Sequence, residues 1–388
     1  VNEAPFSDTV DMLVTQFRST AAERDHAGGT PKAERDLLRR SGLLSMVIPR
    51  EYGGLGASWF ATLSVVRAFA RVDSSVAHLF GFQHLMLATL RLFGQPCQWE
   101  PWYENTARRD WFWGNALNPL DRRTVCSQVE SWREFSGRKS FCSGAIDSEM
   151  LIASAYAPDG DDLIVAALPT GRSGISVRHD WDNIGQRQTD SGSVTFEKVR
   201  VDEGDILADP GPLNTPRSSL RPLIAQNILT HIYLGIAEGA FADARHHTLH
   251  ETRPWLTAGV ERSEDDPYVL AHFGEFHVGL EGARLLATRA AERLDEAWSK
   301  GAALSEQQRG ALSIDTAVAK VATSRIGLDL CSRMFEVTGA RSTHASLRLD
   351  RHWRNLRTHT LHDPLDYKVK EVGEFALKGQ LPTPSFYA

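Results

Sequence analysis

Apolar and polar positions change their period twice along this chain, from helical to alternating and back to helical. Residues 1 to about 108 read as helical. Leu37, Leu38, Leu43, Leu44 and Met46 lead into the loop Pro49-Arg50-Glu51-Tyr52-Gly53-Gly54-Leu55-Gly56, where Pro and Gly end a helix and favour a tight turn. From about Phe60 to Leu92 the chain is apolar, with small residues and few charges. That pattern predicts a pair of helices buried on most faces.

After about Arg109 the runs shorten. Leu151-Ile152-Ala153-Ser154-Ala155-Tyr156 and Leu163-Ile164-Val165-Ala166-Ala167-Leu168 flank Pro158-Asp159-Gly160-Asp161-Asp162, a strand, turn, strand pattern. Ser193 to Val201 alternates with period two, as a half-buried strand does. The Pro- and Gly-rich stretch from Asp209 to Pro216 closes this part, and helical patterns return over about 223–250, 267–300, 305–338 and 364–379. The order predicts a mainly α protein with a β-domain insert: an N-terminal helical domain over 1–108, a middle β-domain over 109–212 and a C-terminal helical bundle over 213–388.

Composition narrows the possible roles. The 388 residues are 42% hydrophobic and 24% charged, and 49 acidic against 43 basic residues give a formal charge of -6. A mildly acidic surface argues against nucleic acid as the main partner. Cys97, Cys126, Cys142 and Cys331 are scattered without a CxxC pair, so neither a zinc site nor a disulfide framework is expected. The N-terminus lacks the basic and apolar regions of a secretory signal, and no uninterrupted apolar span of membrane length stands out. The expected location is the cytoplasm. No Gly-x-Gly-x-x-Gly follows a strand, so no nicotinamide site is expected.

The candidate chemistry concentrates in Arg354-Asn355-Leu356-Arg357-Thr358-His359-Thr360-Leu361-His362-Asp363-Pro364. His359 and His362 are three residues apart and can share a helical face. Histidine titrates near neutral pH and suits proton delivery. Residue type alone equally allows a structural histidine satisfied by Asp363, or, less readily, a metal site that would need a third, distant ligand. No Glu or Asp occurs between Arg351 and His362.

Four segments resemble the acyl-CoA dehydrogenase superfamily: the loop Pro49 to Gly56, Phe141-Cys142-Ser143-Gly144-Ala145, Thr252-Arg253-Pro254-Trp255, and Phe335-Glu336-Val337-Thr338-Gly339-Ala340-Arg341. Three more, Trp113-Gly114-Asn115-Ala116, Gly185 to Ser193 and the His359–His362 segment, resemble its two-component flavin monooxygenase subgroup, of the dibenzothiophene and organosulfur type. The superfamily's dehydrogenases carry a catalytic Glu where this chain has none. The resemblance therefore implies oxygen transfer from a flavin (hydro)peroxide, formed by reduced FMN (or FAD) with O2, to a small organosulfur substrate. The reduced flavin would come from a separate NAD(P)H-dependent reductase.

By the same resemblance His362 is the proton donor, and Asn115 and Ser143 bond the flavin ring and its oxygen. Trp181, Ser191 and His359 contact or support the cofactor, and Arg253 and Arg341 bind its phosphate. Arg253 would do so across a subunit interface, in a homo-oligomer whose family norm is a tetramer. His78, Phe82 and Trp113 face the substrate, although residue type alone fits core packing as well. Phe82 stands in Gly81-Phe82-Gln83-His84 where the dibenzothiophene enzymes place a Tyr. A fused aromatic heterocycle is the alternative substrate. A dehydrogenase with a relocated base, such as Glu238 or Glu275, and an amino-sugar N-oxygenase are the rival activities.

Overall fold

A computed structural model describes residues 6–158 and 160–387; residues 1–5, 159 and 388, and with them Asp159 of the expected turn, lie outside it. The first part holds α1 (Ser7–Ala27), α2 (Lys32–Ser41), α3 (Trp59–Ala70), α4 (Ser74–Phe93) and α5 (Pro96–Arg109). The apolar run divides into α3 and α4 because Asp73 interrupts it as a cap. Its carboxylate accepts the Val76 N–H at 3.0 Å, as the Ser58 hydroxyl does for Ala61 at the start of α3; each such cap stabilises a helix by about 1 kcal/mol. Every α4 residue except Arg91 is buried. Contrary to the sequence expectation, α4 is long and apolar enough to span a membrane by composition. It is instead a core helix, with 94% of its apolar window inside the protein.

The middle part is one seven-stranded sheet made of β1 (Trp113–Ala116), β2 (Val125–Val129), β3 (Trp132–Lys139), β4 (Met150–Tyr156), β5 (Leu163–Pro169), β6 (Ile175–Val177) and β7 (Val194–Val201). The expected hairpin is β4–β5, antiparallel from Met150 opposite Pro169 to Tyr156 opposite Leu163. The alternating run is β7, paired with β3 and β6. Short β1 runs parallel to β4, setting Asn115 opposite Ile152.

Between β6 and β7 the chain leaves the sheet without regular structure and docks on α9 (Arg351–His359). Gly185 lies so close to α9 that a Cβ there would stand 2.1 Å from the Arg354 carbonyl oxygen, so only glycine permits the contact. Gln186 and Asp190 both hold left-handed backbones, with φ of 53° and 46°. Such strain persists only where the surroundings over-determine it. Here Gln186 N–H donates to Asn355 Oδ1 at 2.6 Å, and Asp190 meets the fully buried Arg35 at 3.0 Å.

The last part holds α6 (Leu220–His250), α7 (Pro267–Ser299), α8 (Glu306–Thr338), α9 and α10 (Leu365–Lys378). The four expected helices are α6, α7, α8 and α10; α9 was not anticipated. Gly235 lets α6 cross α3 closely, since a Cβ there would lie 2.5 Å from Ala70 Cβ.

Burial holds His78 and His84 down to about 3 and His231 to about 4, and places His359 well below 6.5. These four rings are neutral when folded but take protons near pH 6.5 when unfolded. Their stabilising contribution is complete above about pH 6.5 and is lost as pH falls toward the folded values. The expected slope is about 1.4 kcal/mol per pH unit for each ring, on the order of 5 for four. Urea midpoints measured from pH 7 to 4 should fall steeply; a flat profile would contradict neutral burial.

Candidate functional site

His78 and Phe82 lie one turn apart on α4, their rings stacked at 4.0 Å and 27°. His78 Nε2 stands 2.9 Å from Ser143 Oγ, and Ser143 Oγ stands 2.7 Å from Ser191 Oγ. The Ser191 hydroxyl also reaches Thr189 Oγ1 at 2.7 Å. A continuous hydroxyl chain thus runs from α4 to the strained Gln186–Ser191 segment. Asn115 N–H donates to the Ser143 carbonyl at 2.9 Å, and its Oδ1 accepts the Leu117 N–H at 3.2 Å. That bond orients the amide and leaves Nδ2 without a hydrogen-bond partner among the described residues. His359 closes the group from α9, its ring 4.9 Å from that of His78 and its carbonyl accepting the Tyr233 hydroxyl at 2.8 Å.

The third histidine, His362, sits in the turn between α9 and α10. Its charge is felt by both His78 and His359. Those two are held neutral, first by burial and then by neighbouring histidines, so neither can act as a cationic proton donor at neutral pH. The His362 side chain is 40% exposed and its Nδ1 lies 3.1 Å from Asp363 Oδ1. If Nδ1 carries the proton toward Asp363, Nε2 is the nitrogen turned to chemistry. Burial alone would raise the Asp363 carboxyl, but the His362 hydrogen bond and the Lys320 charge hold it well below the usual carboxylate range. Lys320 contacts both Asp363 and Gln226. Burial draws Lys320 down to about 8 against the pull of Asp363, so the pair is ionised at neutral pH.

Removing one member of such a pair leaves an uncompensated buried charge. Asp363→Asn should therefore cost about 3 kcal/mol of stability. Adding Lys320→Met should restore most of it, because the stranded charge is then gone. Guanidinium unfolding of the single and double variants measures the difference.

The remaining candidates fall elsewhere. Trp181 donates its indole N–H to the Gln186 carbonyl at 2.8 Å and meets Phe141 edge-on at 5.9 Å, an aromatic pair flanking the Ser143 and Ser191 segments. Trp113 faces inward: its indole N–H bonds Thr106 at 2.9 Å and its ring packs near Trp102, so core packing accounts for it. Arg253 and Arg341 are exposed and come from neighbouring turns, tied by Thr252 Oγ1 donating to the Thr338 carbonyl at 3.3 Å. Neither Glu238 nor Glu275 belongs to the histidine cluster. Glu238 is held by Arg67 at 2.9 Å and Arg284 at 2.8 Å, and Glu275 pairs with Arg333 at 2.6 Å. Among the described residues no group of three His, Cys, Asp or Glu side chains is arranged to hold a metal ion.

Lys320 and Tyr233 complete the cluster without any signal in the sequence, and Thr189 comes from the segment Gly185 to Ser193 that resembles the flavin enzymes. The buried Nδ1 atoms of both His78 and His359 lack a partner among the described residues. Together with Asn115 Nδ2 and the serine hydroxyls they form a neutral set of donors and acceptors. That set fits a flavin ring, whose edge carries carbonyl oxygens and ring nitrogens.

The family model described as acyl-CoA dehydrogenase, N-terminal domain, matches residues 3–110, and that described as acyl-CoA dehydrogenase, C-terminal domain, matches residues 228–367. The chain is 64% identical over 377 residues to a probable FMNH2-dependent monooxygenase, SfnC, of Pseudomonas putida, covering 97% of this chain and 95% of that one. It superimposes on methanesulfinate monooxygenase MsuC of Pseudomonas fluorescens with a TM-score of 0.98 at 65% identity, covering 100% of both chains. TdsC of Paenibacillus sp. A11-2, in a complex with FMN and indole, matches with a TM-score of 0.94 at 41% identity, covering 98% of this chain and 99% of that one.

Proposed function

The chain belongs to the acyl-CoA dehydrogenase family, and on that footing we propose that it is an FMNH2-dependent monooxygenase of small organosulfur compounds. It would place one atom of O2 in the substrate and release the other as water. The observation that carries this reading is the proton-handling pair His362–Asp363, set beside two neutral histidines with no free carboxylate base. A dehydrogenase needs such a base to take the substrate's α-proton, and Glu238 and Glu275 are both occupied by arginines outside the cluster.

Reduced FMN, when bound, supplies the reaction with O2. The protein's own tasks are to orient, to keep the site dry and to move a proton. Ser143, Ser191 and Asn115 would hold the ring edge through the hydroxyl chain and the free amide. His78 and His359, neutral and buried, keep charge and water away from it. His362 Nε2 would deliver the proton, with Asp363 fixing the ring and stabilising its cation. Trp181 would shield one side of the flavin, and Phe82 with His78 would form an apolar wall toward the substrate.

Arg253 and Arg341 would bind the flavin phosphate, as paired guanidinium hydrogen bonds allow. They cannot serve their own chain's histidine cluster. Tyr233, which bonds His359, lies on α6 about 26 Å at helical rise before its end at His250, and Arg253 follows that end. Two copies of the chain would then share each flavin, a reading that the distance between Arg253 and the histidine cluster supports. A separate flavin reductase would supply the reduced cofactor.

MsuC acts on methanesulfinate and TdsC is a dibenzothiophene monooxygenase. The higher identity to MsuC, 65% against 41% for TdsC, favours a small sulfur substrate over a fused ring. The test supplies FMN, NADH and a flavin reductase under isotope-labelled O2, with methanesulfinate, dimethyl sulfone, dimethyl sulfide or indole. One labelled oxygen per product molecule is expected. Oxidation of an acyl-CoA without labelled product would overturn the reading.

A further inference from the structure

Arg221 is a buried cation that no anion answers. It is the second residue of α6 and only 6% exposed. Its one hydrogen bond runs from Nε to Thr89 Oγ1 at 2.9 Å, and no carboxylate among the described residues lies within ion-pair distance. Arg35, equally buried, shows the ordinary arrangement, with Asp190 and Asp147 beside it. Burial draws the Arg221 guanidinium down to about 10, so it stays charged at neutral pH. A charge of this kind is costly to bury and persists where a ligand completes it. The N-terminus of the long helix α6 adds to the positive potential at the same place.

The position relates directly to the histidine cluster. Thr89 follows Phe82 by seven residues, two turns along the same face of α4, about 10 Å away. Tyr387 lies near both Arg221 and His362. Its ring lies 6.0 Å from that of His362, and its phenol feels both Asp363 and Arg221. Tyr387 belongs to the segment that follows α10, held by Lys368 on its carbonyl oxygen and by Phe386 against the core.

We propose that Arg221 is the anchor for an anionic substrate headgroup, a sulfinate, which takes the place beside the guanidinium now held by the Tyr387 phenol. The inference rests on the monooxygenase reading above and names its substrate class. A guanidinium can bind both sulfinate oxygens in parallel. The sulfur is pyramidal, so holding its two oxygens at Arg221 leaves the lone pair and the carbon substituent facing away from the guanidinium. Oxidation to a sulfonate leaves the charge at minus one, and the same anchor holds the product. Neutral thioethers and sulfones of similar size bring no negative charge to pair with Arg221.

The test titrates methanesulfinate and dimethyl sulfone into wild-type protein, Arg221→Gln and Arg221→Lys, and measures FMN affinity and unfolding temperature on the same samples. Wild type should bind the sulfinate and not the sulfone. Arg221→Gln should lose about 100-fold in sulfinate affinity, and Arg221→Lys should retain part of it. FMN affinity should not change. Because Arg221 has no protein anion to lose, Arg221→Gln should unfold no lower than wild type.

In turnover the variant's KM for sulfinate should rise far more than its kcat falls. Equal sulfinate affinity in wild type and Arg221→Gln, or no binding to wild type, overturns the proposal. So does a variant that loses FMN instead, or one that unfolds at a lower temperature. Failure of the monooxygenase reading shows separately, as wild type that binds sulfinate yet places no labelled oxygen in any organosulfur product.

Discussion

Replacing His362 by Ala is expected to lower product formation by about 100- to 10,000-fold, the range general-acid catalysis contributes, while FMN stays bound. The two effects separate because different residues carry them. The contacts proposed for the flavin come from the Ser143–Ser191–Thr189 hydroxyl chain, Asn115 and His78, and none passes through His362. Its own polar contact is with Asp363, which makes its role protonic. Reduced FMN will still react with O2 in the variant, and without the donor the oxygen leaves as hydrogen peroxide.

The measurement is the ratio of sulfonate to hydrogen peroxide per NADH consumed. A normal ratio would remove His362 from the mechanism. Asp363→Asn should move the ratio the same way but less far, since the histidine remains and only its orientation and charge support are lost. His78→Ala should behave differently, breaking the link to Ser143 and weakening FMN binding itself.

How far the sequence reveals this site depends on how each residue reaches it. The long helices were legible because an apolar run of thirty residues around α3 and α4, or of α6, has no other way to be buried. The hairpin β4–β5 was legible through its turn. β2 and β3 were not: Val125-Cys126-Ser127-Gln128-Val129 and Trp132-Arg133-Glu134-Phe135-Ser136-Gly137-Arg138-Lys139 carry too few apolar residues for periodicity to speak. They are strands because their partners make them so, with Cys126 and Phe135 reaching the core of the sheet. Helix α9 was hidden for a similar reason, since nine residues with three arginines and two histidines read as surface.

The chemistry followed the same rule. His359, His362, Asn115 and Ser143 sit in segments whose resemblance to flavin enzymes is local. Lys320 lies 43 residues before Asp363 in the middle of α8, and nothing in its neighbours marks it as a buried countercharge. Arg221 likewise looks like any helix-start arginine until its burial and its missing partner are seen. Trp113 errs in the other direction. It adjoins Asn115 in a matching segment, but its indole is directed to α5 by Thr106.

Arg253→Ala is expected to weaken FMN binding by about 100-fold or more, the loss typical of a charge-assisted phosphate contact, without a change in folding, because the side chain is exposed. The decisive experiment uses the separation between the histidine cluster and Arg253, which lies just past the end of α6. A chain carrying Arg253→Ala keeps a complete His362 side, and one carrying His362→Ala keeps a complete phosphate side. Each alone should be nearly inactive. If one flavin is held between two copies, mixing the variants builds sites in which the intact halves face each other. Random pairing predicts about a quarter of the sites restored, with isologous exchange of halves across a two-fold axis. Activity measured after co-expression of the two variants, at saturating substrate and limiting FMN, should therefore rise well above the sum of the separate preparations. No gain on mixing would mean that each chain completes its own flavin site, and the phosphate would then have to be sought nearer the Ser191 end of the hydroxyl chain.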